Sequence, residues 1–481
     1  MQKWISSIFF TQSTILHYDF SMLLSFRCKN FRSFREEQEL SLIAAKTRAD
    51  KKRESLIDTP FEDLKLLRCV ALYGANASGK SNVLDALATF RRIISNSWRS
   101  WKPDGPIPEF DPFLLDESSQ KDTTSFELTF LLKAHLYRYG FSYDRQKFTE
   151  EFLIDATGRN DRILFFRSPD SETIRFPGRN LWSAASEKRH LQEIARDISA
   201  RPNSLFLSAA AQRAFPLLLE IYSYLTKNFK PLHWKNMENR QRYTAEMCAD
   251  EEFCKRIHIL MRFADAGIVD IKAIHRDFPE EIKKRISIIT KALKENDLRL
   301  SPDATDESLE FPSIPEVKMI HTGAGGHQYP LDESKESDGT EAFFSALGPI
   351  LDALSKGETL LIDELESSLH PMLSRRFIQI FNSPEFNPNG AQFIFTTHNS
   401  NLLNPPLLSR DQIWFTEKSN EGATKLYPLT DYQPRTNQNI ELGYLGGRFG
   451  ATPFLDEQLL REALILQEPD QASLNFSAES K

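Results

Sequence analysis

Gly74-Ala75-Asn76-Ala77-Ser78-Gly79-Lys80-Ser81 decides how this chain is read. It satisfies G-x-x-x-x-G-K-[ST] in full. Before it runs an apolar stretch, Leu66-Leu67-Arg68-Cys69-Val70-Ala71-Leu72-Tyr73, and after it Val83, Leu87, Phe90 and Ile94 fall on one face of a helix. Strand, glycine-rich loop and helix in that order make a phosphate cradle. The glycines let successive backbone N–H groups turn toward one anion, and the helix behind aims its positive end at the same point. Lys80 is then expected on the β- and γ-phosphates and the Ser81 hydroxyl on Mg²⁺. Gly74, Asn76, Ala77, Ser78, Gly79, Lys80, Ser81 and the adjoining Asn82 are the expected nucleotide contacts, with ATP and Mg²⁺ as ligands.

Such a loop needs acids from elsewhere. Thr359-Leu360-Leu361-Ile362 reads as a buried strand that delivers Asp363-Glu364 at its carboxyl end, where open α/β sheets bind ligands. Asp363 suits the Mg²⁺ shell, and Glu364 suits taking a proton from the attacking water. Beyond them run Leu365-Glu366-Ser367-Ser368-Leu369-His370-Pro371, a helix over 371–381, and Phe393-Ile394-Phe395-Thr396-Thr397-His398-Asn399.

Outward from these motifs, regular structure is expected from Met22. Leu23-Leu24-Ser25-Phe26-Arg27-Cys28 reads as a strand, Asn30-Phe31-Arg32-Ser33-Phe34 as a turn, and Glu39-Leu40-Ser41-Leu42-Ile43 as a second strand. Residues 126–155 alternate as a strand meander, and roughly 180–300 turns to helical spacing. From Val317 strand and helix alternate again. The expected layout is an extension over 1–21, an N-terminal lobe over 22–178, a mainly helical insertion over 179–315, a C-terminal lobe over 316–455 and a tail over 456–481.

Composition bounds the rest. In 481 residues, 60 Lys+Arg against 67 Asp+Glu leave a net charge of −7, which argues against a dedicated nucleic-acid coat. A hydrophobic share of 40% with 26% charged residues excludes wholesale disorder. Four cysteines without a CxxC pair exclude a disulfide scaffold and a zinc knuckle, so a reducing, cytoplasmic setting is expected. No apolar run approaches the ~18–20 residues of a membrane span. The opening stretch is broken by Ser6 and Ser7 and has no small-residue cleavage site, which does not fit a secretion signal.

Phosphate loop, Asp-Glu-x-x-x-x-Leu-His-Pro and a strand ending Thr-Thr-His, in that order, resemble the ABC-type ATPases, and within them the SMC/RecF/OLD branch. The turn Asn30-Phe31-Arg32-Ser33-Phe34 is similar to that branch's first turn. Glu336-Ser337-Asp338-Gly339-Thr340 stands where the branch has its signature loop, and Gly443-Tyr444-Leu445-Gly446-Gly447-Arg448-Phe449-Gly450-Ala451-Thr452-Pro453-Phe454 resembles the RloA/AbiLi-type ATPases of bacterial phage defence. The resemblance implies an α/β head of mixed sheet plus antiparallel meander, interrupted by the helical insertion. It implies that Lys80, Glu364 and His398 are catalytic, with His398 on the γ-phosphate, and that Arg32 and Ser33 lie near the α-phosphate and base. Ser337 and Gly339 would reach the partner's site in a homodimer or larger homo-oligomer.

Two functions fit that resemblance. One is a sensor and switch of antiviral defence that controls a separate nuclease or toxin effector. The other is a DNA repair or recombination ATPase acting directly on DNA. A transporter subunit is disfavoured by the split domain and the missing L-S-G-G-Q. Basic and aromatic residues interleave from Lys227 to Tyr243, which admits DNA contact, although a solvated helix face explains them as well. No aspartate is followed two positions on by another, so the Asp-x-Asp grip of an OLD-type nuclease is missing and no nuclease centre is expected.

Overall fold

The computed structural model describes residues 21–46, 53, 55–168, 173–177, 185–213, 215–232, 237–264, 267–276, 281, 284–285, 314–367, 369–404, 406–435, 438–453 and 457–464. The extension before Ser21, the stretch 301–313 and the tail beyond 464 lie outside the described residues.

The chain begins with Ser21–Lys29 (β1), Gln38–Ser41 (β2), Leu56–Asp58 (β3), Lys65–Leu67 (β4) and Cys69–Gly74 (β5), then helix Lys80–Asn96 (α1). Thr124–Leu132 (β6), His135–Tyr143 (β7), Phe148–Asp155 (β8) and Arg162–Arg167 (β9) form the meander. Helices Ala185–Ser199 (α2), Phe206–Gln212 (α3) and Pro216–Lys227 (α4) lead to Phe229–Leu232 (β10), Met237–Met247 (α5), Glu251–Ala264 (α6) and Ile268–Arg276 (β11). The remainder holds Ile314–Thr322 (β12), Gln328–Asp332 (β13), Asp338–Lys356 (α7), Thr359–Ile362 (β14), Pro371–Asn382 (α8), Gln392–Thr396 (β15), Ile413–Lys418 (β16), Thr424–Pro428 (β17), Ile440–Leu445 (α9) and Glu457–Leu464 (α10).

Two six-stranded sheets carry the site. One has the order β10-β14-β15-β5-β16-β17, parallel up to β16 and closed by antiparallel β17. The other, β2-β1-β6-β7-β8-β9, is antiparallel throughout. Helix α1 packs on both. Its expected face is buried, and so are Leu84, Ala86 and Ile93, because it has two sheets to meet. Phe90 stacks on Phe141 at 5.4 Å and meets Phe26 edge-on at 5.9 Å. Strand β5 divides its side chains by the two-residue period: Val70 and Leu72 join this core, while Cys69, Ala71 and Tyr73 face α7 and α8 on the other side. Burial raises the Cys28 and Cys69 thiols above their usual pKa, which leaves them inert core residues.

The stretch 179–315, expected to be mainly helical, also holds strands. Strand β10 pairs in parallel with β14, from Phe229 opposite Thr359 to Leu232 opposite Ile362, so this stretch supplies the edge of the phosphate-binding sheet. Lys230 and Pro231 disguise it. Proline is tolerated on an edge strand because that side needs no donor. Strand β11 likewise pairs with β12 in a small antiparallel sheet finished by β13. Part of the basic–aromatic run is engaged within the chain, while Lys227 and Arg242 are exposed. Phe229 is fully buried, Lys230 pairs with Asp352 at 3.1 Å and Glu358 at 3.4 Å, Tyr243 donates to Asp352 at 2.7 Å, and Arg240 is buried. His233, Trp234 and Lys235 lie outside the described residues. Among the described residues no helix is long and apolar enough to cross a membrane.

Candidate active site

The loop between β5 and α1 is shaped by backbone that side chains resist. Gly79 has φ 105° and Ala77 φ 60°. A Cβ on Gly79 would lie 2.4 Å from the Thr424 hydroxyl and 2.9 Å from that of Ser33. The crowding follows from how the loop is braced. The Ser78 hydroxyl shares a hydrogen bond with that of Thr416 at 2.6 Å, and Thr424 donates to the Ser78 carbonyl at 2.8 Å. Strands β16 and β17 thus hold the loop from behind. Ser33 joins the same knot, accepting from Asn82 Nδ2 at 2.7 Å, with its hydroxyl 2.8 Å from that of Thr424. Arg32, from the same turn, is taken by two carboxylates, Asp85 of α1 and Asp111, the latter at 2.9 Å.

Lys80 is 6% exposed, and its Nζ donates to the carbonyls of Gly74 at 2.9 Å and Ala75 at 3.0 Å. Burial lowers its pKa, and the opposing pull of Asp363, Glu364 and Glu366 does not restore it. Ser81 donates to Asp363 Oδ1 at 3.0 Å, and the Thr396 hydroxyl donates to the same oxygen at 2.7 Å. Strands β14 and β15 are parallel neighbours with Ile362 opposite Phe395, which brings both strand ends to one place. Glu364 then turns sharply, with φ 52° and its N–H on the Thr396 hydroxyl at 2.7 Å. A non-glycine residue held there costs about 1–3 kcal/mol, a strain typical of functional turns.

His398 follows β15. Its side chain is solvent-exposed on one side, yet desolvation by the packed atoms around it, then the Lys80 ammonium, lowers its pKa below the usual imidazole value. The shift favours the neutral ring. Lys80, Ser81, Asp363, Glu364 and His398 are thus gathered at the carboxyl ends of β5, β14 and β15. Ser337 and Gly339 sit apart, at the start of α7. Ser337 caps that helix, accepting from Thr340 N–H at 3.2 Å, and is exposed.

Several participants carried no signal in the sequence. Thr416 and Thr424 are polar members of a C-terminal hairpin whose role depends on where the phosphate loop comes to rest. Thr396 and Glu366 lie inside recognised motifs, but only their partners reveal what they hold. The segment 443–454 packs on the back of the site. Tyr444 meets the Tyr73 ring at 5.7 Å and Phe415 at 5.6 Å, and Glu441 accepts from Ser400 at 2.9 Å and Asn404 at 2.7 Å, just past His398. Phe454 lies outside the described residues.

The donor set suits the expected ligands. Two hard oxygens, Ser81 Oγ and Asp363 Oδ1, meet at the N-terminus of a 17-residue helix beside a buried ammonium. Among solved structures the chain is similar to an SMC head bound to the C-winged helix domain of ScpA (12% identity, 84% of this chain and 97% of that one, TM-score 0.38). It is also similar to the SMC head domain from Thermotoga maritima (14%, 84% and 98%, 0.37). A third is the Pyrococcus furiosus-derived SMC head with an extended coiled coil, bound to the C-terminal domain of ScpA (15%, 86% and 98%, 0.31). No curated protein matches. A family model described as "AAA domain, putative AbiEii toxin, Type IV TA system" matches residues 69–404, from the start of β5 past the loop at His398. That span is well over half of the chain and contains every motif of the site except the turn at Arg32 and Ser33; the chain belongs to this AAA-domain family and is an ATPase of that type.

Proposed function

We propose that this ATPase is a switch in bacterial antiviral defence, which dimerises through its ATP sites and controls a separate nuclease or toxin effector. The convergence of Lys80, Ser81, Asp363, Glu364 and His398 carries the catalytic part of that reading. Lys80 balances charge on the β- and γ-phosphates, and the loop's N–H groups hold them in place. Ser81 and Asp363 are the residues to hold Mg²⁺, which when bound supplies positive charge to the phosphate oxygens. Glu364 takes the proton of the attacking water, and neutral His398 contacts the γ-phosphate through a ring nitrogen. Arg32 and Ser33 lie on the α-phosphate and base side. Ser337, exposed, and Gly339, half-buried, at the start of α7 serve the site of a second copy.

The defence setting draws on the family's description and on the resemblance of the segment 443–454. The basic–aromatic run lends the repair reading less support, since Phe229, Lys230, Arg240 and Tyr243 are paired or buried within the chain. The test is to express the chain with its operon neighbours and challenge the cells with phage, with and without Glu364→Gln, while asking which neighbour co-purifies in ATP. Protection that needs Glu364 and an ATP-dependent partner is expected. Purified protein alone should leave DNA, RNA and tRNA intact. Cleavage that co-elutes with it and survives Glu364→Gln would overturn the separate effector.

A further inference from the structure

Glu366 stands two residues past Glu364, and its two carboxylate oxygens take different donors. Oε2 accepts from the Thr397 hydroxyl at 2.7 Å, and Oε1 accepts from the backbone N–H of His398. The Thr397 hydroxyl in turn accepts from Asn399 N–H at 3.0 Å. Thr397 is fully buried while His398 is exposed, so Glu366 grips the chain where β15 leaves the core and the histidine loop begins. One residue back, Leu365 N–H donates to the Thr396 carbonyl at 3.0 Å. The loop after Asp363 and the loop after β15 are therefore tied at two successive peptide units.

We propose that Glu366 is a positioning residue for ATP hydrolysis: it fixes the peptide of His398 directly and the following turn through Thr397, so that the imidazole stays beside Lys80 and Asp363. The proposal rests on the hydrolytic reading above and adds a residue to it. The chemistry explains why an acid stands here. Two donors converge from one short segment, and only a carboxylate accepts at both of its oxygens. An amide would turn its own N–H₂ toward one of them. Because the loop is gripped at its backbone, the imidazole ring remains available to substrate.

The test compares kcat and KM for ATP, together with thermal melting, in Glu366→Ala, Thr397→Val, Thr397→Ser, His398→Ala and the double variant Glu366→Ala/His398→Ala. Misplacing a catalytic group costs about 10- to 100-fold, so Glu366→Ala should lose that much in kcat with KM nearly unchanged. Thr397→Val should lose part of it, and Thr397→Ser, which restores the hydroxyl, should not. The double variant should turn over no more slowly than His398→Ala, because residues acting as one unit are not additive. Parent-rate turnover by Glu366→Ala, or a double variant that multiplies the two losses, would overturn the proposal. If His398→Ala alone kept the parent rate, the histidine's assignment would fall first and this proposal with it. Should Glu366→Ala melt before assay, the nearly isosteric Thr397→Val carries the same test in the same backgrounds.

Discussion

The phosphate loop and the signature stretch are opposite kinds of surface. Around Lys80 several strands contribute a brace: Thr416 and Thr424 behind the loop, Asp363 and Thr396 beside it, and carbonyls of the loop itself on Nζ. Ser78 is 2% exposed and Lys80 6%. Ser337, by contrast, is exposed, and its side chain bonds to Thr340 at the head of its own helix. On the proposed reading, one half of the site is finished within a chain and the other half, at Ser337, faces outward. A surface serine preceding a 19-residue helix is what an incoming phosphate from another copy needs, because the helix N-terminus supplies unpaired N–H groups there. Disturbing the finished half should therefore stop chemistry in every assembly, whereas disturbing the outward half should depend on the partner.

The largest effect is expected from Glu364→Gln. An amide cannot take the water proton, and general-base catalysis is worth about 10²–10⁴ in rate. Turnover should fall by that factor while ATP binding persists, as single-turnover and equilibrium binding assays would report. Lys80→Ala should come next, with a loss of about 10²–10³ in turnover for a removed charge donor, here accompanied by weaker ATP affinity. Retained affinity in Lys80→Ala would mean that the backbone cradle does the binding without its cation.

How much of this was legible in the sequence follows from the distance over which each signal acts. The loop, its flanking strand and α1 are contiguous, so residues 69–96 announce themselves. Ser81 and Asp363 are 282 positions apart, yet each sits in a motif with its own local grammar, and they meet at 3.0 Å. The hairpin of β16 and β17 has no such grammar. Thr416 reads as an ordinary strand residue until Ser78 comes to rest 2.6 Å from it. Strand β10 failed for a different reason. It is four residues long, contains Lys230 and Pro231, and gains its identity only by pairing with β14. Edge strands obey weaker sequence rules than central ones, since one side makes no ladder. The same applies to Glu366, whose spacing from Glu364 was visible but whose two donors come from the other side of β15.

A smaller effect sharpens the comparison between the halves. If Ser337 serves the partner's site, Lys80→Ala and Ser337→Arg damage different faces of the same composite site. Mixing the two inactive proteins under conditions of subunit exchange should restore one sound site per heterodimer, and up to about half of the parent activity. No recovery in mixtures shown to exchange would place the whole site in one chain and remove the contrast.

The smallest expected effect concerns pH at the outward half. Glu333 lies one turn before Ser337, and its pKa is pushed up to about 7 by burial and then by the neighbouring carboxylates of Glu341 and Glu316. Its Oε2 is buried without a hydrogen-bond partner among the described residues. The folded value lies above the ordinary 4.5, so the folded form holds the proton more tightly than the unfolded form does. Stability from this group is therefore present in full below about 4.5 and is lost as pH rises through about 7, where the buried carboxyl must ionise. The stretch ahead of α7 should loosen between about pH 4.5 and 7, while the loop around Lys80 keeps its protection. Amide hydrogen exchange, corrected for its intrinsic pH dependence, would read both regions in one experiment. Glu333→Gln, which cannot ionise, should hold the exchange of residues 333–340 constant across that range. Equal loosening in the variant would assign the pH response to another group.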